Sequence, residues 1–495
     1  MDIISFLGTV ALIHCAFYFT DQFLKSCMNV PYLYFLENVG VTVKPLQIHW
    51  FTTAFNRSVN KWTLWRPRFF KIWFTIGAVV VLILLLPTII LLISGLVNHW
   101  RPSADPTVAP LQPMVPGINI PVKEFPYYFL TILVASIIHE IGHAIAAVKE
   151  DVHVNGFGFL LLFILPGAYV DVPTEDIRAL SPFRQLKILC AGVWHNVMLA
   201  VMALAFGLAL PYLLYPLYIH GQGLTVMTLS QDSPARGTTG LEVGDVVTGI
   251  NRHPVASVAE WNQHLVTTVT SDQIGFCVPE SVVHTHDETI HHAFEGADGS
   301  VQCCDGDSEA HLCFELKESH EADNGVAAMQ PFSCLPARIA VSLSIKTCTT
   351  SASCPTDTHC LAPSLRNASR LVQIWRKEGN GKSKDDVLYL GPPVYLYHTL
   401  SFTSYIPKYP FLPLYWPNSL EIYCDYMVKF SGALAVLNMV PVIYLDGYWI
   451  FGAVIDLFLS TWLDQVARRI VHAILTLLGT ILLVLNIGIG VWSIL

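Results

Sequence analysis

Three side chains within Ile137-Ile138-His139-Glu140-Ile141-Gly142-His143-Ala144 have the types and spacing of metal chemistry. On a helix, residues four apart share a face, so His139 and His143 aim two imidazoles at one ion while Glu140 stands beside them. Catalytic zinc takes three protein ligands and keeps one position for water, whose pKa falls to roughly 7. Glu140 is then the group placed to accept that proton. The motif fixes only three positions and occurs by chance in soluble helices. Here it lies inside an apolar run over residues 127–148, and two histidines with a carboxylate at bilayer depth are costly unless they pair or bind something.

A third ligand has to come from elsewhere, and carboxylates are scarce in the apolar segments. Asp446 is the candidate. It sits in Asn438-Met439-Val440-Pro441-Val442-Ile443-Tyr444-Leu445-Asp446-Gly447, where Pro441 removes a backbone donor and Gly447 permits a turn or a close approach. The plainer alternative is an aspartate capping a helix end. Two amides lie in the same apolar stretches. Asn196 is a candidate donor to a developing oxyanion, and Asn438 a candidate grip on substrate backbone; polar amides fill such roles in hydrolases, and equally serve as glue between membrane helices.

The elements that must carry these residues are membrane spans. The chain is 53% hydrophobic and 13% charged over 495 residues, against about 25% charged in ordinary globular domains. Its net charge of −9 excludes a basic nucleic-acid-binding face. Apolar stretches at residues 2–24, 72–97, 127–148, 186–214, 426–459 and 470–495 predict about six crossings. Residues 157–165 are too short to cross and predict a re-entrant hairpin or strand, tolerated only where protein or water covers it. A protease has to hold its substrate extended, and residues 157–163 are the expected strand edge for that pairing. The basic residues of loop 25–71, among them Arg57, Lys61, Arg66 and Arg68, predict a cytosolic face.

Residues 220–425 are hydrophilic and carry eight of the twelve cysteines, between Cys277 and Cys360. That clustered even number predicts disulfides and an oxidising, lumenal compartment. Cys303-Cys304 with His284, His286, His291 and His292 is the alternative, a second metal site. Asn367-Ala368-Ser369 is a glycosylation sequon in the same region. The fold class expected is an α-helical polytopic membrane protein with an inserted β-rich, cysteine-rich lumenal domain. Its divisions are 1–126 (two candidate spans), 127–214 (first catalytic part), 215–425 (lumenal, insertion 277–360) and 426–495 (second catalytic part). His139 and His143 then lie toward the cytosolic side.

The pairing of His-Glu-x-x-His with Asn-x-x-Pro-x-x-x-Leu-Asp-Gly resembles the site-2 protease family of intramembrane zinc metalloproteases. Gly156-Phe157-Gly158-Phe159, Pro166-Gly167-Ala168-Tyr169-Val170-Asp171, Cys190-Ala191-Gly192-Val193-Trp194-His195-Asn196 and Ser431-Gly432-Ala433-Leu434 extend the resemblance. It implies one Zn2+ per chain on His139, His143 and Asp446, with Glu140 activating water. It also implies a PDZ-like domain opening at Gly240-Leu241-Glu242-Val243-Gly244-Asp245, interrupted by the cysteine-rich stretch and completed near residues 387–406. The implied partners are the lipid bilayer and single-span substrates. These would be membrane-anchored transcription factor precursors of the sterol-regulatory and stress-response kinds, already cut once in the lumen, and the compartment the Golgi or endoplasmic reticulum. Two rivals remain at this level: a prenyl-protein type of membrane metalloprotease, which completes its site with a downstream glutamate, and a non-enzymatic membrane-tethered PDZ-like receptor.

Overall fold

An all-apolar helix still has to choose an inside, and helix α4 (Pro67–His99) does so by size. Phe74, Ala78, Val81, Leu85, Thr88, Leu92 and Gly95 are buried at alternating spacings of four and three, with Gly77 beside them. Ile72, Ile76, Ile83, Leu86 and Ile90 stand out into the surroundings. In lipid no hydrophobic force separates the two faces, so small residues that let backbones approach mark the packed one. The computed structural model describes residues 3–99, 114, 119–237, 239–290, 294–295, 301–305, 311–317, 331–365, 368–379 and 381–493. Two units emerge, Met1–Leu208 with Glu421–Leu495, and Ala209–Leu420.

The first unit begins with helix α1 (Ile3–Ser26), helix α2 (Val30–Val39), strands β1 (Val41–Lys44) and β2 (Gln47–Thr52), and helix α3 (Asn56–Trp65), ahead of α4. Next come helix α5 (Phe125–Lys149), strands β3 (Gly156–Leu162) and β4 (Leu165–Asp171), and helices α6 (Thr174–Ala179), α7 (Pro182–Leu189) and α8 (Ala191–Leu214). The chain returns as three helices: Trp416–Asn438, Asp446–Leu459 and Gln465–Trp492. Among the described residues, four helical segments are long and apolar enough to cross a bilayer: Pro67–His99, Val122–Lys149, Ala191–Leu214 and Gln465–Trp492. The molecule is a membrane protein with a β-rich unit.

The stretch 426–459, an apolar run that Pro441 and Gly447 are expected to break, is broken there. It is divided between the Trp416–Asn438 helix and the 14-residue Asp446–Leu459 helix. The latter is about 21 Å long, short of a hydrocarbon core of about 30 Å. The break is the Pro441 loop that delivers Asp446.

Residues 25–71 hold more than a loop. Val41-Thr42-Val43 and Ile48-His49-Trp50-Phe51-Thr52 have the β-branched and aromatic composition of strands. They form an antiparallel hairpin turned at Leu46, whose φ of 55° is left-handed. β2 then pairs with β3, giving one antiparallel sheet in the order β1-β2-β3-β4. This corrects the expected substrate edge: residues 157–162 form an inner strand with both sides already paired. The edges are β1 and β4. The hairpin tip is tied to α1, where the buried His14 donates from Nε2 to the Phe163 carbonyl at 2.8 Å. Asp21, also buried on α1, accepts from Lys25 at 2.8 Å and from the Tyr32 hydroxyl at 2.9 Å. Its charge is thereby compensated.

The second unit contains two larger sheets. One has the strand order Val387–Gly391, Arg370–Lys377, Val246–Ile250, Tyr218–Leu229, Leu400–Pro407, with the helix Val258–Thr270 burying Trp261 against Phe402 at a ring distance of 4.8 Å. The strands at 387–391 and 400–407 thus share a sheet with Val246–Ile250. The stretch between them forms its own five-stranded sheet, from Gly275–Pro279 to Thr358–Pro363. All eight of its cysteines are paired: Cys277–Cys354, Cys303–Cys313, Cys304–Cys334 and Cys348–Cys360. Cys303 and Cys304 are therefore disulfides, not thiolate ligands of a second metal. His291, His292 and the sequon residue Asn367 lie outside the described residues.

Candidate metal centre

Helix α5 buries one long face, Tyr128, Thr131, Ala135, His139, Gly142, His143 and Ala146, at helical spacing. His139 and His143 are 4% and 8% exposed. Their ring nitrogens converge as the i, i+4 relation requires: the two Nε2 atoms are 3.2 Å apart. Asp446, first residue of its helix, brings Oδ2 to 2.9 Å from His139 Nε2 and 3.2 Å from His143 Nε2. Among the described residues these three form a group able to hold one metal ion. The remaining such group, Cys277, Cys348 and Cys354, is already spent in disulfides.

Close backbone approach makes the convergence possible. A Cβ at Gly142 would run into the His195 ring and the Ala191 carbonyl, so α5 and the start of α8 touch there. A Cβ at Gly192 would lie 2.5 Å from His139 Nε2 and nearer still to His143 Nε2. The space in front of the two nitrogens exists only because residue 192 has no side chain. That space and the N, N, O donor set fit a zinc ion, which takes such ligands at about 2.0–2.2 Å.

Each ligand is oriented from behind. His143 Nδ1 donates to the Ile188 carbonyl at 2.8 Å, which leaves Nε2 with its lone pair toward the centre. The α7 turn carrying Ile188 is fixed to the end of α5: Glu150 takes Lys187 Nζ at 2.9 Å and Arg184 Nε at 2.6 Å. The fully buried Asn196 amide lies 3.0 Å from His139 Nδ1; with Nε2 turned to the centre, Nδ1 carries the proton and the amide oxygen is the atom that accepts it. Asn438 Oδ1 accepts from the Asp446 backbone N–H at 3.5 Å, a long contact at the head of the Asp446 helix. A Cβ on Gly447 would collide with the Val440 carbonyl, and one on Gly479 would lie 2.7 Å from Pro441 Cγ. Two glycines thus let the Pro441 loop fold in tightly. Tyr444 on that loop has φ 74°, a left-handed conformation that costs a bulky residue of order 1–3 kcal/mol and tends to occur at functional sites.

Glu140 faces the sheet. Its Oε2 accepts from the Val170 backbone N–H on β4 at 2.9 Å. The metal-binding motif and Asp446, expected from sequence, are brought together. Gly192, Gly142, the Ile188 carbonyl and the Val170 N–H were not singled out. Backbone groups and absent side chains carry no residue-type signal, although Gly192 stands in a run that carries the family resemblance.

Residues 127–374 match the sequence profile of peptidase family M50. The chain belongs to this family. M50 members are metalloproteases, and the site-2 proteases among them act within the bilayer on membrane-anchored substrates. A membrane-bound transcription factor site-2 protease homolog of Arabidopsis thaliana is 25% identical over 450 residues, covering 81% of this chain and 83% of that protein. An M50 peptidase needs a metal held by protein ligands, and among the described residues His139, His143 and Asp446 are a group outside the disulfides that offers one.

Proposed function

We propose that the chain is a zinc endopeptidase in which His139, His143 and Asp446 hold one Zn2+ and Glu140 is the general base. The observation that carries this reading is the meeting of two imidazole nitrogens and one carboxylate oxygen within 3.2 Å, in front of a residue without a side chain. Zinc bound there supplies a Lewis acid that polarises the scissile carbonyl and brings a water's pKa to about 7. Glu140 Oε2 stays on the Val170 N–H, which leaves Oε1 to take the water's proton and pass it to the leaving amine. Asn196 and Asn438 act through the ligands they touch, one setting the His139 ring and the other the head of the Asp446 helix.

The outer edge of β4 is the substrate's docking strand in this reading. The Val170 N–H points away from β3, toward Glu140, and strand alternation turns the Ala168 backbone groups the same way. An extended peptide paired there runs past Glu140. Substrates are membrane-anchored transcription factor precursors cut first on the lumenal side, and the product is a cytosolic fragment. The compartment is the Golgi or endoplasmic reticulum membrane, with residues 220–425 lumenal and PDZ-like and the centre toward the cytosol. The relative's printed name supports the substrate class, and the disulfide-bonded second unit supports its lumenal side.

Elemental analysis of purified protein tests the ligand set. Wild type and Glu140→Gln should both carry about one zinc per chain, and Asp446→Ala should carry little. Full zinc in Asp446→Ala would remove Asp446 from the site and favour a centre completed by another carboxylate.

A further inference from the structure

A cavity with about 70 Å3 of free space lies beside Glu140, and its walls present hydrocarbon alone. α3 contributes Ser58, Val59 and Trp62, α5 contributes Ile141 beside Glu140, and the sheet contributes Phe157 and Tyr169. The space is several times the 10–15 Å3 that one water needs, and the surface it exposes is hydrocarbon. It is cut into the face of the sheet whose β4 edge runs past Glu140. Successive side chains of a strand point to opposite faces, so a peptide paired along Ala168 puts every second side chain over this face. The floor is Phe157 and Phe159, which as the partners of Val170 and Ala168 share the face of those side chains. α3 forms the outer wall, and Trp62, 48% exposed, stands at its rim.

From this we infer that the cavity is the pocket for a short aliphatic side chain flanking the scissile bond, and that Ser58 and Trp62 of α3 set its size. The inference rests on the protease reading above and adds a specificity element drawn from the N-terminal segment, outside the 127–374 match to the family. Neither residue touches the metal ligands. α3 is held in place independently, since the Asn56 side chain donates to the carbonyls of Val154 and Asn155 at 3.0 Å. Changes at Ser58 and Trp62 therefore alter the wall rather than the position of the helix.

The test uses the full chain in liposomes and single-span substrates that differ only in the two residues flanking the cut, set in turn to Ala, Val, Leu or Phe. Cleavage is read by mass spectrometry as the ratio between substrates. Wild type should prefer Ala and Val to Phe at one of the two positions. Ser58→Leu should lower Leu relative to Ala at that position by about 10-fold or more, and Trp62→Ala should raise Phe relative to Ala by a similar factor, the scale of apolar pocket discrimination. Ratios that stay within about 2-fold of wild type in both variants, while cleavage and zinc content persist, overturn the pocket but not the protease. Cleavage by Glu140→Gln equal to wild type, or none by zinc-loaded wild type, overturns the protease reading and the pocket with it.

Discussion

At the scale of single residues, the account turns on what glycine leaves out. His139, Glu140, His143 and Asp446 are legible in the sequence because their side chains are the chemistry and a helix fixes the spacing of the first three. Gly192 is not legible in that way; its role appears only when α8 is laid across α5. Gly192→Ala adds one methyl group within 2.5 Å of His139 Nε2, so zinc content should fall well below one per chain and cleavage should drop by at least about 100-fold, the upper range for disturbed metal surroundings. Elemental analysis and a product assay on the same preparation check this. Retained zinc with full activity would mean the metal sits elsewhere.

At the scale of elements, a hairpin or strand at residues 157–165 was legible, but the open edge was expected at 157–163 and no neighbours could be named. Its pairing with residues 47–52 joins segments more than a hundred positions apart, and nothing local in either segment specifies that register. The open edge moved to β4 as a result. Ala168→Pro removes an outward-facing N–H that the sheet does not use, a substitution edge strands tolerate. It should keep the zinc and lower cleavage by about 10-fold, comparable to the loss of one backbone hydrogen bond of about 1–1.5 kcal/mol. Unchanged cleavage would detach the substrate from this edge. A second element-scale prediction concerns the α5–α7 junction, where Lys187 and Glu150 side chains are each 10% exposed. Glu150→Ala leaves Lys187 buried without its partner, a cost of about 3–5 kcal/mol. Heat inactivation should therefore set in at markedly lower temperature, and Lys187→Met combined with it should recover part of the loss.

At the scale of the whole molecule, composition alone announced a membrane protein and the clustered cysteines announced disulfides, and the long apolar helices and the four disulfides bear both out. The number of crossings was less legible. Residues 426–459 read as one apolar stretch broken at Pro441 and Gly447, and the chain divides there into two helices, the second opening with the Asp446 carboxylate. That break brings the Asp446 carboxylate to His139 and His143, the group proposed to hold the metal. The most direct test of the central claim is the product spectrum from purified wild type and Glu140→Gln, each loaded with zinc, acting on a single-span substrate that lacks its lumenal domain. The account predicts a defined cut within the span by wild type, and none by Glu140→Gln despite equal zinc. The same cut from both proteins would contradict it.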